Sequence, residues 1–417
     1  MGRSAIYLVI GFTFVCLMTS RNLSTVSTEA FKNAIQYYET STGHQIVQTG
    51  ANFACNQLFL TPNWRDGYQN VSFAGGTFTV TAAGIAGTDQ VQLVSTASYD
   101  GKTYTIKILL QPSLFSKFAY YSDNEPNSIY WVTGDTVWGP YHSNTKLYVN
   151  GNPVFNGKTT NLNGLVKKNG NSDHPQFNGG YETGISISMP SDLSTIKAKA
   201  QQAGGGLFLT STSSPPAYAA GTDVYMNFNA NGTVTYKIGA AGAWTTTDLA
   251  TLAGTNKVIV VENANLRIKG TLNGQVSIAA LGSSGSTTQG HVMIDSSVVY
   301  NSNPLAGAST DMLGIVATND IMITDNANNN TAAGIKIQGT MFSLAGGFGA
   351  ENYDTRPAMG SIQLLGGVSQ HIRRAVGTSG SPGTGFKKSY KYDERMLVTS
   401  PPCYPTTGSY EVLEWLE

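Results

Sequence analysis

The chain has 417 residues, 25 basic and 25 acidic side chains, and only 12% charged residues, about half of the ~25% usual in soluble domains. With no net charge there is no basic field to draw in a phosphate backbone, so nucleic acid is not an expected partner. The 47 glycines beside 41% apolar residues point to many short strands and tight turns rather than disorder, and the length suits two or three units.

The first element is an apolar run, "AIYLVIGFTFVCLM" at residues 5–18, between Arg3 and Arg21. A cleaved secretion signal fits its length, but Met18-Thr19-Ser20 is a poor small-x-small cleavage site. A membrane-crossing helix fits if both arginines reach back to the interface. A third reading is a helix that starts in the membrane and ends packed among copies of itself. The residues that follow favour it. The first proline is Pro62, and before it apolar residues recur at helical steps: Phe31, Ile35, Tyr38, then Val47, Ala51, Ala54 and Leu58. Residues 1–61 therefore read as one long helix. Gly43 and Gly50 weaken it by up to ~1 kcal/mol each and are expected to mark a bend. The assembly face is assigned to Ile6, Leu8, Val9, Ile10, Phe12, Phe14, Val15, Leu17, Phe31, Ile35, Tyr38, Val47, Ala51, Ala54 and Leu58.

Residues 62–122 read as a small antiparallel sheet. Val91, Leu93, Ala97 and Tyr99 alternate onto one face, and Tyr104, Ile106, Ile108 and Leu110 answer them. Asp100-Gly101 between them is a two-residue hairpin turn. The apolar face needs a cover, and the end of the long helix is the nearest candidate.

From residue 123 short apolar groups are punctuated by Gly, Asn and Asp. The pairs Leu266/Ile268, Val292/Ile294, Leu313/Ile315, Ile335/Ile337 and Ile362/Leu364 recur every ~20–27 residues. So does the series Val276, Val298, Ile321, Met341, Val368. Such a repeat reads as a right-handed β-helix, or β-solenoid, with stacked aliphatic ladders. On this reading 123–188 is a first solenoid part and 251–378 the main one. Residues 189–250 are an insertion, with a helix capped by Ser191 and a hairpin turning at Asn231-Gly232. Residues 379–417 form a strap over the body.

The opening, "SAIYLVIGFTFVCLMTS" followed by "KNAIQYYETSTGHQIVQTGANFACNQLF", resembles type IV pilins and minor pilin-like bacterial surface proteins. "GDTVWGPYHSNTKLYVNGNPVFNG", "FNGGYETGISI" and "KSYKYDERML" resemble an uncharacterised group of the same kind. The resemblance implies a helix that packs in a filament core and displays a β body outside the cell. It implies copies of the same chain as partners, and the inner membrane before assembly. It lends no catalytic residue. Pilins normally carry a glutamate at the fifth mature position, and here no acidic residue precedes Glu29.

Chemistry is sparse. Asp320 and Asp325 bracket a short strand, with Asp295 one repeat earlier; this is the nearest approach to the paired carboxylates of a polysaccharide-active enzyme, and turn duty explains them as well. Lys336 and Arg267 alternate with ladder residues and should face solvent. Asp173-His174-Pro175 reads as a surface turn. Trp131 and Trp138 either fill the first repeat's core or, exposed, bind surface glycans or make subunit contacts. Cys55 and Cys403 are candidates to pair. No Cys/His metal spacing, phosphate loop or dinucleotide fingerprint is present. The expectation is a structural protein with no cofactor, no metal and no catalytic role.

Overall fold

The structure is a computed structural model describing residues 2–85, 89–213, 217–307, 309–378, 380 and 383–417. The chain divides into two compact units, residues 1–112 with 409–417, and residues 113–408.

In the first unit one helix runs unbroken from Arg3–Leu60, about 87 Å at ~1.5 Å per residue. Strands Tyr68–Phe73, Gly76–Gly84, Val91–Tyr99 and Lys102–Leu114 form an antiparallel meander, and Thr406–Leu416 joins as a fifth strand beside Lys102–Leu114. At the predicted hairpin Tyr99 pairs with Lys102, and Asp100 and Gly101 both take positive φ (49° and 72°), as a type I′ turn requires. The end of the helix covers the apolar face. Ile46, Val47, Ala51, Ala54 and Leu58 are buried against Phe78, Val80, Val91, Leu93, Ala97, Ile106, Ile108 and Leu110.

Gly43 and Gly50 serve this contact and interrupt no helix. A Cβ on Gly43 would lie 2.1 Å from the Tyr104 ring, and one on Gly50 would lie 2.7 Å from Phe78 and from Ser95 Oγ. Small residues let the helix backbone approach the sheet closely. The buried Ser95 hydroxyl uses that approach, donating to the Val47 carbonyl at 2.8 Å.

The second unit is a stack of tiers, each pairing in parallel with the next. On one side ten strands follow one another. They are Gly206–Thr210, Val258–Glu262, Gln275–Leu281, Met312–Ala317, the second halves of Ile335–Ser343 and Ala358–Ile372, then Tyr120–Asn124, Tyr141–Ser143, Thr159–Asn161 and Tyr181–Thr183. Their inward side chains join the aliphatic interior. Their outward ones, among them Val260, Ala279, Val316, Phe342 and Tyr121, are covered by Phe115, Leu193, Ile196, Ala200 and Tyr404.

The order of tiers differs from the order of sequence. The chain joins the stack in its middle, at Tyr120, and builds outward to Tyr181–Thr183. It then crosses back over the flank through residues 184–205, restarts at the opposite end with Gly206–Thr210, and returns until Val368 pairs with Tyr120. Residues 123–188 therefore follow the last tier and do not precede the first. The expected insertion is in part the first tier, because Gly206–Thr210 and Thr222–Phe228 pair in parallel with Val258–Glu262 and Ala264–Leu272. Its hairpin turns at Asn231-Gly232 as expected. Its helix spans Ser194–Gln201, and Asp192, not Ser191, accepts the Ser194 backbone N–H at 2.8 Å. The expected strap divides: Thr384–Lys391 lies in the stack, and Thr406–Leu416 is the fifth strand of the other sheet.

The ladders also regroup. Leu266/Ile268 stand in register with Val292/Ile294, and Ile335/Ile337 with Ile362/Leu364. Leu313/Ile315 pair instead with Val276/Ile278, and Val292/Ile294 with Ile321/Ile323. Of the second series, only Met341 and Val368 are direct partners. The counted series mix strands from different sides of a tier, because the loops between sides differ in length.

Where Tyr120–Asn124 meets Ala358–Ile372, aliphatic packing gives way to a polar seam. Arg373 Nη1 donates to Glu125 Oε2 at 2.9 Å, and the guanidinium sits 4.2 Å from the centre of the Trp131 ring. Lys388 Nζ lies 3.0 Å from Asp135 Oδ2 and 5.1 Å from the same ring. Gln370 Nε2 donates to Tyr120 OH at 2.6 Å. Arg373 and Glu125 are buried on both sides of the pair. Burial pushes the Glu125 carboxyl above its ordinary value against the pull of Arg373, and burial, then Arg373, lowers the Lys388 ammonium.

Candidate assembly helix

The fifteen residues assigned to the assembly face separate into two sets. Val47, Ala51, Ala54 and Leu58 are fully buried under the sheet, so they hold the helix to its own unit and have no surface left for another copy. Ile6, Leu8, Val9, Ile10, Phe12, Phe14, Val15, Leu17, Phe31, Ile35 and Tyr38 are all exposed, from 48% at Ile35 to 73% at Leu8 and Phe31. No helix residue before Gly43 is buried. Apolar side chains point outward on every side of residues 5–18, and this is the one helix among the described residues long and apolar enough to cross a membrane.

Four threonine hydroxyls on this segment are satisfied within it. Thr13, Thr19, Thr25 and Thr28 each donate a hydroxyl to the carbonyl four residues earlier, on Val9, Val15, Arg21 and Ser24, at 2.7–3.0 Å. Such back-bonding suits a helix in lipid or among apolar neighbours, where a free hydroxyl costs energy. Cys16 is exposed on the same segment, and the Cys55 thiol is free, so the expected pairing of Cys55 with Cys403 is not made. Burial raises the Cys55 thiol above its ordinary value. Farther along, Glu39 meets Lys102 Nζ at 2.8 Å.

The candidate catalytic carboxylates are each engaged structurally. Asp295 takes Arg267 Nη2 at 2.6 Å and Nε at 2.9 Å. Asp320 takes Arg374 Nε at 3.0 Å and the Gly347 backbone N–H at 2.9 Å. Asp325 accepts from Asn352 at 2.9 Å and Asn330 at 2.6 Å, which hold its carboxyl below the usual range. Asp173 is also depressed, first by the Asn169 N–H and then by that of Gly151, so it ties neighbouring loops together. Lys336 is exposed, as expected for a strand's outer face, whereas Arg267 is held in its ion pairs. Trp131 is buried at the seam, and Trp138 is exposed. The seam charges were missed in the sequence because the partners lie 248 positions apart for Arg373 and Glu125 and 253 for Lys388 and Asp135, and nothing local sets Arg373 apart from Arg374 or Lys388 from Lys387.

No family model matches the chain, and no curated protein matches it. Among solved structures it is similar to the competence-associated pilin ComZ from Thermus thermophilus. The identity is 13%, over 91% of this chain and 97% of that one, with a TM-score of 0.36. A score that low marks only a broad likeness, and the function proposed below rests on this chain's own helix.

Proposed function

We propose that the chain is a pilin-like structural subunit of an extracellular filament, which starts anchored in a membrane and polymerises through its N-terminal helix. The body it displays is read as a β-solenoid. One observation carries the reading: the first forty residues of a single long helix present apolar side chains to their surroundings, while only its last third is docked. Burying one Ile, Leu, Val or Phe is worth ~1.5–3 kcal/mol. The eight assigned residues between Ile6 and Leu17 thus represent about 12–24 kcal/mol that water cannot supply. Lipid supplies it before assembly, and neighbouring copies supply it afterwards. The low charge of the chain lets copies approach without strong repulsion.

No catalytic role belongs to this reading, and the engagement of Asp295, Asp320 and Asp325 in ion pairs and loop contacts supports leaving one out. Surface glycans remain a candidate partner, supported by the exposed rings of Trp138 and Trp244.

Removing residues 2–28 tests the proposal. The full chain should form polymers when detergent is withdrawn, and the shortened chain should stay monomeric with both units folded. Polymers of the shortened chain would overturn it.

A further inference from the structure

The 184–205 crossing passes over the stack at the seam and leaves an open groove of about 610 Å³. Small-molecule sites usually occupy ~300–1,000 Å³. Three stretches of chain build it: Asp123 and Asn144 from the tiers after Tyr120, His371 from the last returning tier, and residues 186–191 of the crossing; Ser284, Gly285, Leu344 and Ala345 complete the wall. The site exists only where the returning tier has met the tier that starts at Tyr120, in the middle of the stack.

The polar floor is fixed. Asp123 Oδ1 accepts from Asn144 Nδ2 at 2.7 Å, and its Oδ2 lies 3.0 Å from His371 Nδ1. Asn144 is held in turn, since its Oδ1 accepts the Ile187 N–H at 3.0 Å and the His142 ring nitrogen lies 2.9 Å away. His371 commits Nδ1 to Asp123, and Nε2 is its remaining polar atom toward the groove. Nε2 meets no protein donor among the described residues. The hydroxyls of Ser186, Ser188, Ser191 and Ser284 likewise have no protein partner there. Met189, Pro190, Leu344 and Ala345 add an apolar surface to the lining.

We infer that this groove binds a short segment of neutral glycan. The donor and acceptor pattern asks for a ligand that both donates to and accepts from the wall, as a sugar hydroxyl does. The aliphatic lining suits the C–H face of a pyranose ring. Among the described residues no lysine or arginine lines the groove, and the Asp123 carboxylate disfavours phosphate, sulfate and carboxylate groups. The inference takes up the surface-glycan partner but is independent of polymerisation, because every residue of the groove lies in the second unit.

The test is binding of the full chain in detergent micelles to an array of neutral and acidic glycans, followed by titration with the best neutral tetrasaccharide. Two variants accompany it. His371→Gln replaces the ring nitrogen by an amide of similar size, and Ser188→Trp fills the groove from an exposed position. The expected result is binding confined to neutral glycans, weakened at least tenfold in both variants while their melting temperatures match the parent. Absence of binding to any neutral glycan, preference for acidic ones, or undiminished binding by both variants overturns the inference. Filament formation by these variants should be unchanged, so failure here is separable from failure of the filament proposal.

Discussion

At the scale of single residues, the close contacts decide stability. Gly50→Ala places a methyl 2.7 Å from Phe78 and Ser95 Oγ; overpacking of that kind costs ~1–3 kcal/mol, and denaturant unfolding of the first unit should show it. Arg373→Ala strands the Glu125 carboxylate inside the second unit. Breaking a buried pair from one side costs ~3–5 kcal/mol, whereas replacing both partners by apolar residues is far milder. Arg373→Met with Glu125→Leu should therefore recover most of the stability lost in Arg373→Ala. Asp173 and Asp325 have depressed folded values. Their contribution is present above the unfolded carboxylate value of ~3.9 and is lost as pH falls through the folded value. Melting temperature should decline in acid below about pH 4, with a shallower decline in Asp325→Asn. Of these contacts, the sequence showed Asp100-Gly101 plainly, because a turn of that length needs residues tolerant of positive φ. Ser95 was not legible: it is polar at a position in register with Ile106, and only the helix carbonyl it meets explains it. The two helix glycines signalled a bend by propensity, and tertiary contact gave them another purpose.

At the scale of elements, the long helix was the most legible feature. Sixty residues without proline, apolar first all round and then on one face, leave few alternatives. Its division of labour was not legible, because a stripe that docks on a sheet and a stripe that meets other copies share the same 3.6-residue period. Val47 and Phe31 look alike in sequence, yet one is fully buried and the other is 73% exposed. Phe31→Ser should accordingly leave the unfolding midpoint of the first unit within experimental error while weakening polymerisation. Leu58→Ala should cost ~2–5 kcal/mol in that unit. In the body, the repeat length was legible and the register was not. Apolar pairs on different sides of a tier carry no label, and unequal loops shift one series against another. Pairs such as Ile335/Ile337 with Ile362/Leu364 were found where one strand follows the next after a single regular turn.

At the scale of the whole molecule, the order of the stack departs furthest from the order of the chain. Local reading assumes that consecutive repeats are neighbours, and it holds from Gly206 to Ile372. It fails at the seam, where Tyr120–Asn124 joins Ala358–Ile372 by parallel pairing and buried charge. Joining such distant segments is slow in folding, because loop closure precedes the contacts that reward it. The central claim, however, concerns the helix: its exposed apolar part is buried by other copies of the chain. Electron microscopy of native cell-surface material, with mass spectrometry of the N-terminus of the protein it contains, addresses that claim most directly. The account predicts filaments built of this one chain, with the segment from Ile6 to Leu17 retained and packed along the filament axis. Surface material without polymers, or a mature protein beginning at Arg21, would contradict it.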